Sequence, residues 1–74
     1  MKYITVDQFK GTNWIDVYVM DDNINDMLEI EQGLSLGEGF KFINQFKNKY
    51  GINTIDFKLY DKMENLIKSE EINL

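Results

Sequence analysis

The sequence predicts an α+β domain in which an antiparallel sheet of three to five strands packs against one main helix at about residues 36–50. Three observations predict it. Stretches at 14–20, 27–32 and 52–60 alternate apolar and polar residues with the period of two that a half-buried strand requires. Ser35-Leu36-Gly37-Glu38 has the spacing of a capping box, in which hydroxyl and carboxylate satisfy the free backbone donors of a helix start. The segment after it carries a helical apolar period, and Gly51 follows as a residue suited to the left-handed turn that ends a helix.

Taken in order, residues 2–9 alternate weakly, and Lys10-Gly11-Thr12-Asn13 is rich in turn formers. In the segment 14–20, Ile15, Val17 and Val19 share one face and leave Trp14, Asp16, Tyr18 and Met20 on the other. The polar run 21–26 suits a hairpin loop. Residues 27–32 then place Leu28 and Ile30 inward and Glu29 and Glu31 outward, with Gly33 as the end of the strand. On a helix with residues spaced 100° apart, Phe40, Phe42, Ile43, Phe46 and Tyr50 span an arc of about 160°. That is wider than one sheet face covers. Phe40 and Phe42 lie at its two edges, so burying one leaves the other near solvent or a partner, and Lys47 within the arc must run its stem outward. The next strand directs Ile55, Phe57 and Leu59 inward. A turn at 61–65 leads to a short strand at 66–72, the alternative being a short helix capped by Asp61 and Glu64. An echo favours the strand: Ile15 to Asp21 parallels Ile55 to Asp61, each followed by a polar turn and an acidic, Ile-containing segment.

The 74 residues make a single domain, 1–74. There is no cysteine and no histidine, which excludes disulfides, thiolate or imidazole metal sites and the common nucleophile–base pairs. Ser35 is absorbed as a helix cap. Asp21, Asp22, Asn23, Asn25 and Asp26 lack the EF-hand spacing, so they read as a turn and not as a calcium loop. No catalytic residue, metal site or cofactor is therefore expected, and the chain reads as a binding domain and not an enzyme. Arginine, alanine and proline are absent while Ile, Asn and Lys abound, a pattern of AT-rich bacterial or phage coding sequence. No apolar stretch approaches the roughly 20 residues of a membrane span, and the opening residues are no signal peptide, so a cytoplasmic location is expected. Small domains without covalent staples often dimerise, and a homodimer is the expected state.

Thirteen acids against eight lysines give a net charge of −5. From Gly11 to Phe40 there is no lysine, while Asp16, Asp21, Asp22, Asp26, Glu29, Glu31 and Glu38 all fall there. Direct binding to nucleic acid or to an anionic membrane is disfavoured, because phosphates need basic partners. A cationic protein surface is the better match. If 14–20 and 27–32 pair around the loop, Asp16 comes beside Glu31 and Tyr18 beside Glu29 on the outward face. Like charges placed opposite one another cost stability, which suggests a return in binding.

Four pieces of the sequence stand in order: Asp16-Val17 followed by Asp21-Asp22, then Glu29-x-x-x-Gly33-Leu34-Ser35-Leu36 with Glu38, then Phe46-x-x-x-Tyr50-Gly51, and Leu59-Tyr60-Asp61-Lys62. In these pieces the sequence resembles the small phage-encoded inhibitors of uracil-DNA glycosylase known from Bacillus podophages. Together the pieces cover about two-thirds of the chain. Against that family the hairpin turn is about two residues shorter and the helix about seven longer, close to two turns, so the same helix face is nearly restored. The chain also continues past Lys62, where the family ends. The resemblance implies a homodimeric DNA mimic whose acids stand in for phosphates in the host enzyme's cleft and whose apolar groove captures the residue that the enzyme inserts into DNA.

On that basis Glu29, Phe46 and Tyr50 are the leading contact residues, Phe40 and Phe42 compete as aromatic contacts, and Asp16, Asp22 and Glu31 supply auxiliary charge. Two further readings stay open at this point. One is a phage inhibitor of another nucleic-acid-binding host system, such as a CRISPR effector. The other is a structural or assembly domain whose acids only keep it in solution.

Overall fold

The computed structural model describes residues 1–73. Its elements are β1 (Lys2–Phe9), β2 (Trp14–Asp21), β3 (Asp26–Ser35), α1 (Leu36–Tyr50), β4 (Thr54–Tyr60) and β5 (Leu66–Asn73). The strands form one sheet in the order β3-β2-β1-β4-β5, giving the expected α+β fold with one main helix. Three pairings are antiparallel hairpins, β1 with β2, β2 with β3 and β4 with β5. β4 instead lies parallel to β1, which makes the sheet mixed. The parallel pair follows from α1, because a chain that leaves one edge and returns through a helix crosses the sheet before it re-enters. No helix among the described residues is long and apolar enough to cross a membrane.

Local chemistry sets the element ends. Ser35 accepts a hydrogen bond from the Glu38 backbone N–H at 3.2 Å, and the Glu38 carboxylate accepts from the Ser35 N–H, closing the capping box. Gly51 ends the helix at φ 65°, where a side chain would be strained. The two halves of the sequence echo end alike. Asp21 accepts from the Asn23 N–H at 3.0 Å and Asp61 from the Met63 N–H at 2.8 Å, so each carboxylate shapes the turn that starts a hairpin. The segment after Asp61 is accordingly a strand and not a capped helix.

The core lies between α1 and one sheet face, with Ile4, Val6, Ile15, Val17, Val19, Leu34, Ile43, Phe46, Ile52 and Ile55 buried. Fully burying an aliphatic side chain stabilises the fold by about 1.5–3 kcal/mol. The helix sits close on β2: a Cβ on Gly39 would lie 2.2 Å from the Ile15 Cδ1. It packs most closely on β1, β2 and β3, so the same face of β4 is covered only in part and that of β5 is exposed. Ile55 is buried as expected, but Phe57 and Leu59, which point the same way, are only partly covered.

The facing of β3 departs from simple alternation. Val19 opposes Glu29 and Met20 opposes Met27, leaving Leu28 as an extra residue on β3. A second extra residue falls opposite Asp16, between the Val17–Glu31 and Ile15–Leu34 pairs. Between these two bulges the phase is inverted, because a one-residue slip turns every side chain to the other face. Glu29 and Glu31 therefore share the helix-side face with Val19 and Val17, and Ile30 is turned outward at 47% exposure, opposite Tyr18. This corrects the expected inward Ile30 and outward glutamates. Gly33 is the bulge itself and not the strand end, and passing through it at φ 66° returns Leu34 to the core.

Candidate partner-binding surface

The bulge in β3 and the last turn of α1 bring Glu29, Lys49 and Tyr50 together. The Tyr50 hydroxyl donates to Glu29 Oε2 at 2.7 Å, and the Lys49 ammonium donates to the same oxygen at 2.8 Å. The ammonium also lies 5.2 Å from the Tyr50 ring centroid. Hydrogen bonds from Lys49 and Tyr50 hold the Glu29 carboxyl below its ordinary range, while the bond to Glu29 raises Tyr50 and likewise raises Lys49. Glu29 thus stays ionised and fixed in place by both donors. The sequence named both Glu29 and Tyr50 as contact residues; Lys49 was not foreseen, since only the register of β3 shows which helix residue faces the strand.

The aromatic assignments divide. Phe46 is 3% exposed and belongs to the core, so it is not a surface contact residue. Phe42 is partly buried with its ring 5.8 Å from that of Phe46. Phe40 is 65% exposed and is the aromatic that the helix arc leaves over. It borders an apolar groove of about 230 Å³ where α1 stops short of β4 and β5. Leu36, Phe57 and Ile72 complete the walls that matter. The sequence placed Phe57 inward but could not show that no helix covers it. Phe40 and Tyr50 are separated by about 15 Å along the helix axis, at 1.5 Å per residue. The expected contact residues therefore form two places, an acidic one at the β3 edge and an apolar one toward β5.

The auxiliary acids also separate. Asp16 is directly opposite Asp7 on the open sheet face, not beside Glu31, because the bulge at Leu28 carries Glu31 to Val17. Asp16 is tied down by the Gly33 N–H, which donates to its Oδ1 at 2.8 Å. Asp22 is exposed in the β2–β3 turn and pairs with the terminal amine of Met1. Glu31 lies on the helix side of β3 next to Glu29 in the alternation.

The open face carries one feature the sequence did not reveal. Asp7 lies between Asp16 of β2 and Lys58 of β4, and its Oδ1 is buried with no hydrogen-bond partner among the described residues. Burial raises its carboxyl above the ordinary range, against the nearby Lys58 ammonium and with the help of Asp16 and Asp56. No protein-family model, curated protein or solved structure matches the chain.

Proposed function

We propose that this protein is an acidic, DNA-mimicking inhibitor that occupies the DNA-binding cleft of a host uracil-DNA glycosylase and catalyses no reaction itself. The observation that carries the reading is the Glu29–Tyr50–Lys49 junction. It supports the role that the resemblance gives to Glu29 and Tyr50, because a carboxylate on a strand bulge is held ionised in one position by residues of the neighbouring helix. Such preorganisation lowers the ordering cost of association. Both intramolecular bonds fall on Oε2, so a guanidinium or ammonium of the cleft meets Oε1 or displaces Lys49.

Around this point the lysine-free hairpin of β2 and β3 supplies the field that speeds encounter with a basic cleft. The groove beside Phe40 supplies an apolar pocket for an inserted side chain, the kind of contact that slows dissociation. Phe40 takes the aromatic role, since Phe46 is in the core.

Complex formation with a bacterial uracil-DNA glycosylase, measured by surface plasmon resonance with a DNA duplex as competitor, tests the proposal. Binding should be lost as DNA is added. Glu29→Lys and Phe40→Ala should each weaken it at least about tenfold, within the range of single interface side chains. No complex at micromolar concentration, or one untouched by DNA, overturns the reading. Retention of a CRISPR effector from host lysate with no glycosylase moves the target to that class.

A further inference from the structure

The two edges of the sheet are built differently. β3 is interrupted by two bulges and carries Asp26, Glu29 and Glu31 with no lysine, so a second copy pairing along it would set acid against acid. β5 is exposed along its whole length, carries no proline, and shows one irregularity, near Leu66. Leu66, Ile67 and Ile72 are exposed apolar residues on it, and it holds both signs of charge, Lys68 with Glu70 and Glu71.

We infer that β5 pairs antiparallel with β5 of a second copy, across a two-fold axis that passes through Ser69. A two-fold axis perpendicular to a sheet keeps every residue on its own face. Residues can therefore oppose one another only if both lie on the same face, which restricts the registers to those centred on a residue. Centring on Glu70 sets that carboxylate against its own copy, and centring on Lys68 does the same with two ammonium groups. Centring on Ser69 sets Lys68 of each copy against Glu70 of the other, twice over, with Ile67 beside Glu71.

Within one chain Lys68 and Glu70 already lie 3.4 Å apart on one face, so both charges are disposed on the side where the cross-copy pairs form. The resulting ten-stranded sheet is closed by symmetry and leaves only the bulged, acidic β3 at its two ends. The Glu29–Tyr50 junction remains accessible, four strands away. The inference does not depend on the proposed function.

Sedimentation velocity with charge variants of the full chain tests it. The wild type should sediment at twice the mass of one chain, and Lys68→Glu should weaken association at least about tenfold by opposing like charges. The double variant Lys68→Glu/Glu70→Lys should restore it, because the swap re-forms the same cross-copy pairs. In the second arm Ser69→Cys, in a chain that has no other cysteine, should cross-link to a dimer under mild oxidation. A monomeric wild type, a Lys68→Glu variant that dimerises unchanged, open-ended larger assemblies, or a Ser69→Cys protein that stays uncross-linked each overturns it. Circular dichroism on every variant separates dissociation from unfolding.

Discussion

Individual side chains show where stability and binding diverge. Glu29 has its carboxyl lowered by hydrogen bonds from Lys49 and Tyr50, so it favours the folded state above its unfolded pKa. That contribution is lost as pH falls through the lowered, folded value. Titration of the Glu29 side chain by NMR should give a midpoint below the ordinary glutamate range, and Tyr50→Phe should move the midpoint upward. Asp7 has the opposite sign. Its carboxyl is raised by burial, so ionisation disfavours the folded state as pH rises from the unfolded value through the folded one. Asp7→Asn should therefore stabilise the protein at neutral pH, because it removes a charge that burial disfavours. Urea melts at pH 7 should show the gain, and melts below the unfolded aspartate range should show it vanish.

At the scale of elements, the helix and its seat on β2 are the most constrained. Gly39→Ala pushes a methyl into Ile15 and should cost about 1–3 kcal/mol, as overpacking does. Ser35→Ala removes the cap and should cost about 1 kcal/mol. Thermal melts rank the two. Both residues were legible in the sequence, the serine from its spacing to Glu38 and the glycine only as a member of the helix. The hairpin of β4 and β5 was legible from its echo of β2, because the same aspartate turn starts both. The facing of β3 was not. Alternation assigns Ile30 inward, yet two extra residues, at Leu28 and beside Gly33, invert the middle of the strand, and bulges leave no signature in apolar spacing. The error had a consequence for the site, since it is the inversion that turns Glu29 toward Tyr50.

Across the whole molecule, one helix lies close on three of five strands and covers β4 only in part. This makes both the groove at Phe40 and the uncovered stretch of Phe57 and Ile72, and it explains why aromatics read as inward from the sequence remain partly exposed. Composition alone indicated the sign of the surface, because a net charge of −5 with lysine missing from Gly11 to Phe40 describes an acidic stretch before any fold is known. Long-range attraction of that kind is screened over about 10 Å at 0.1 M salt. The association rate with the target should therefore fall steeply between low and moderate ionic strength, while the dissociation rate changes little; stopped-flow mixing separates the two. The most direct measurement is uracil excision by a bacterial uracil-DNA glycosylase in the presence of increasing amounts of this protein. Inhibition that saturates near one active site per chain or per pair of chains, and is relieved by Glu29→Lys, is the predicted result. Undiminished excision with the protein in large excess contradicts the account.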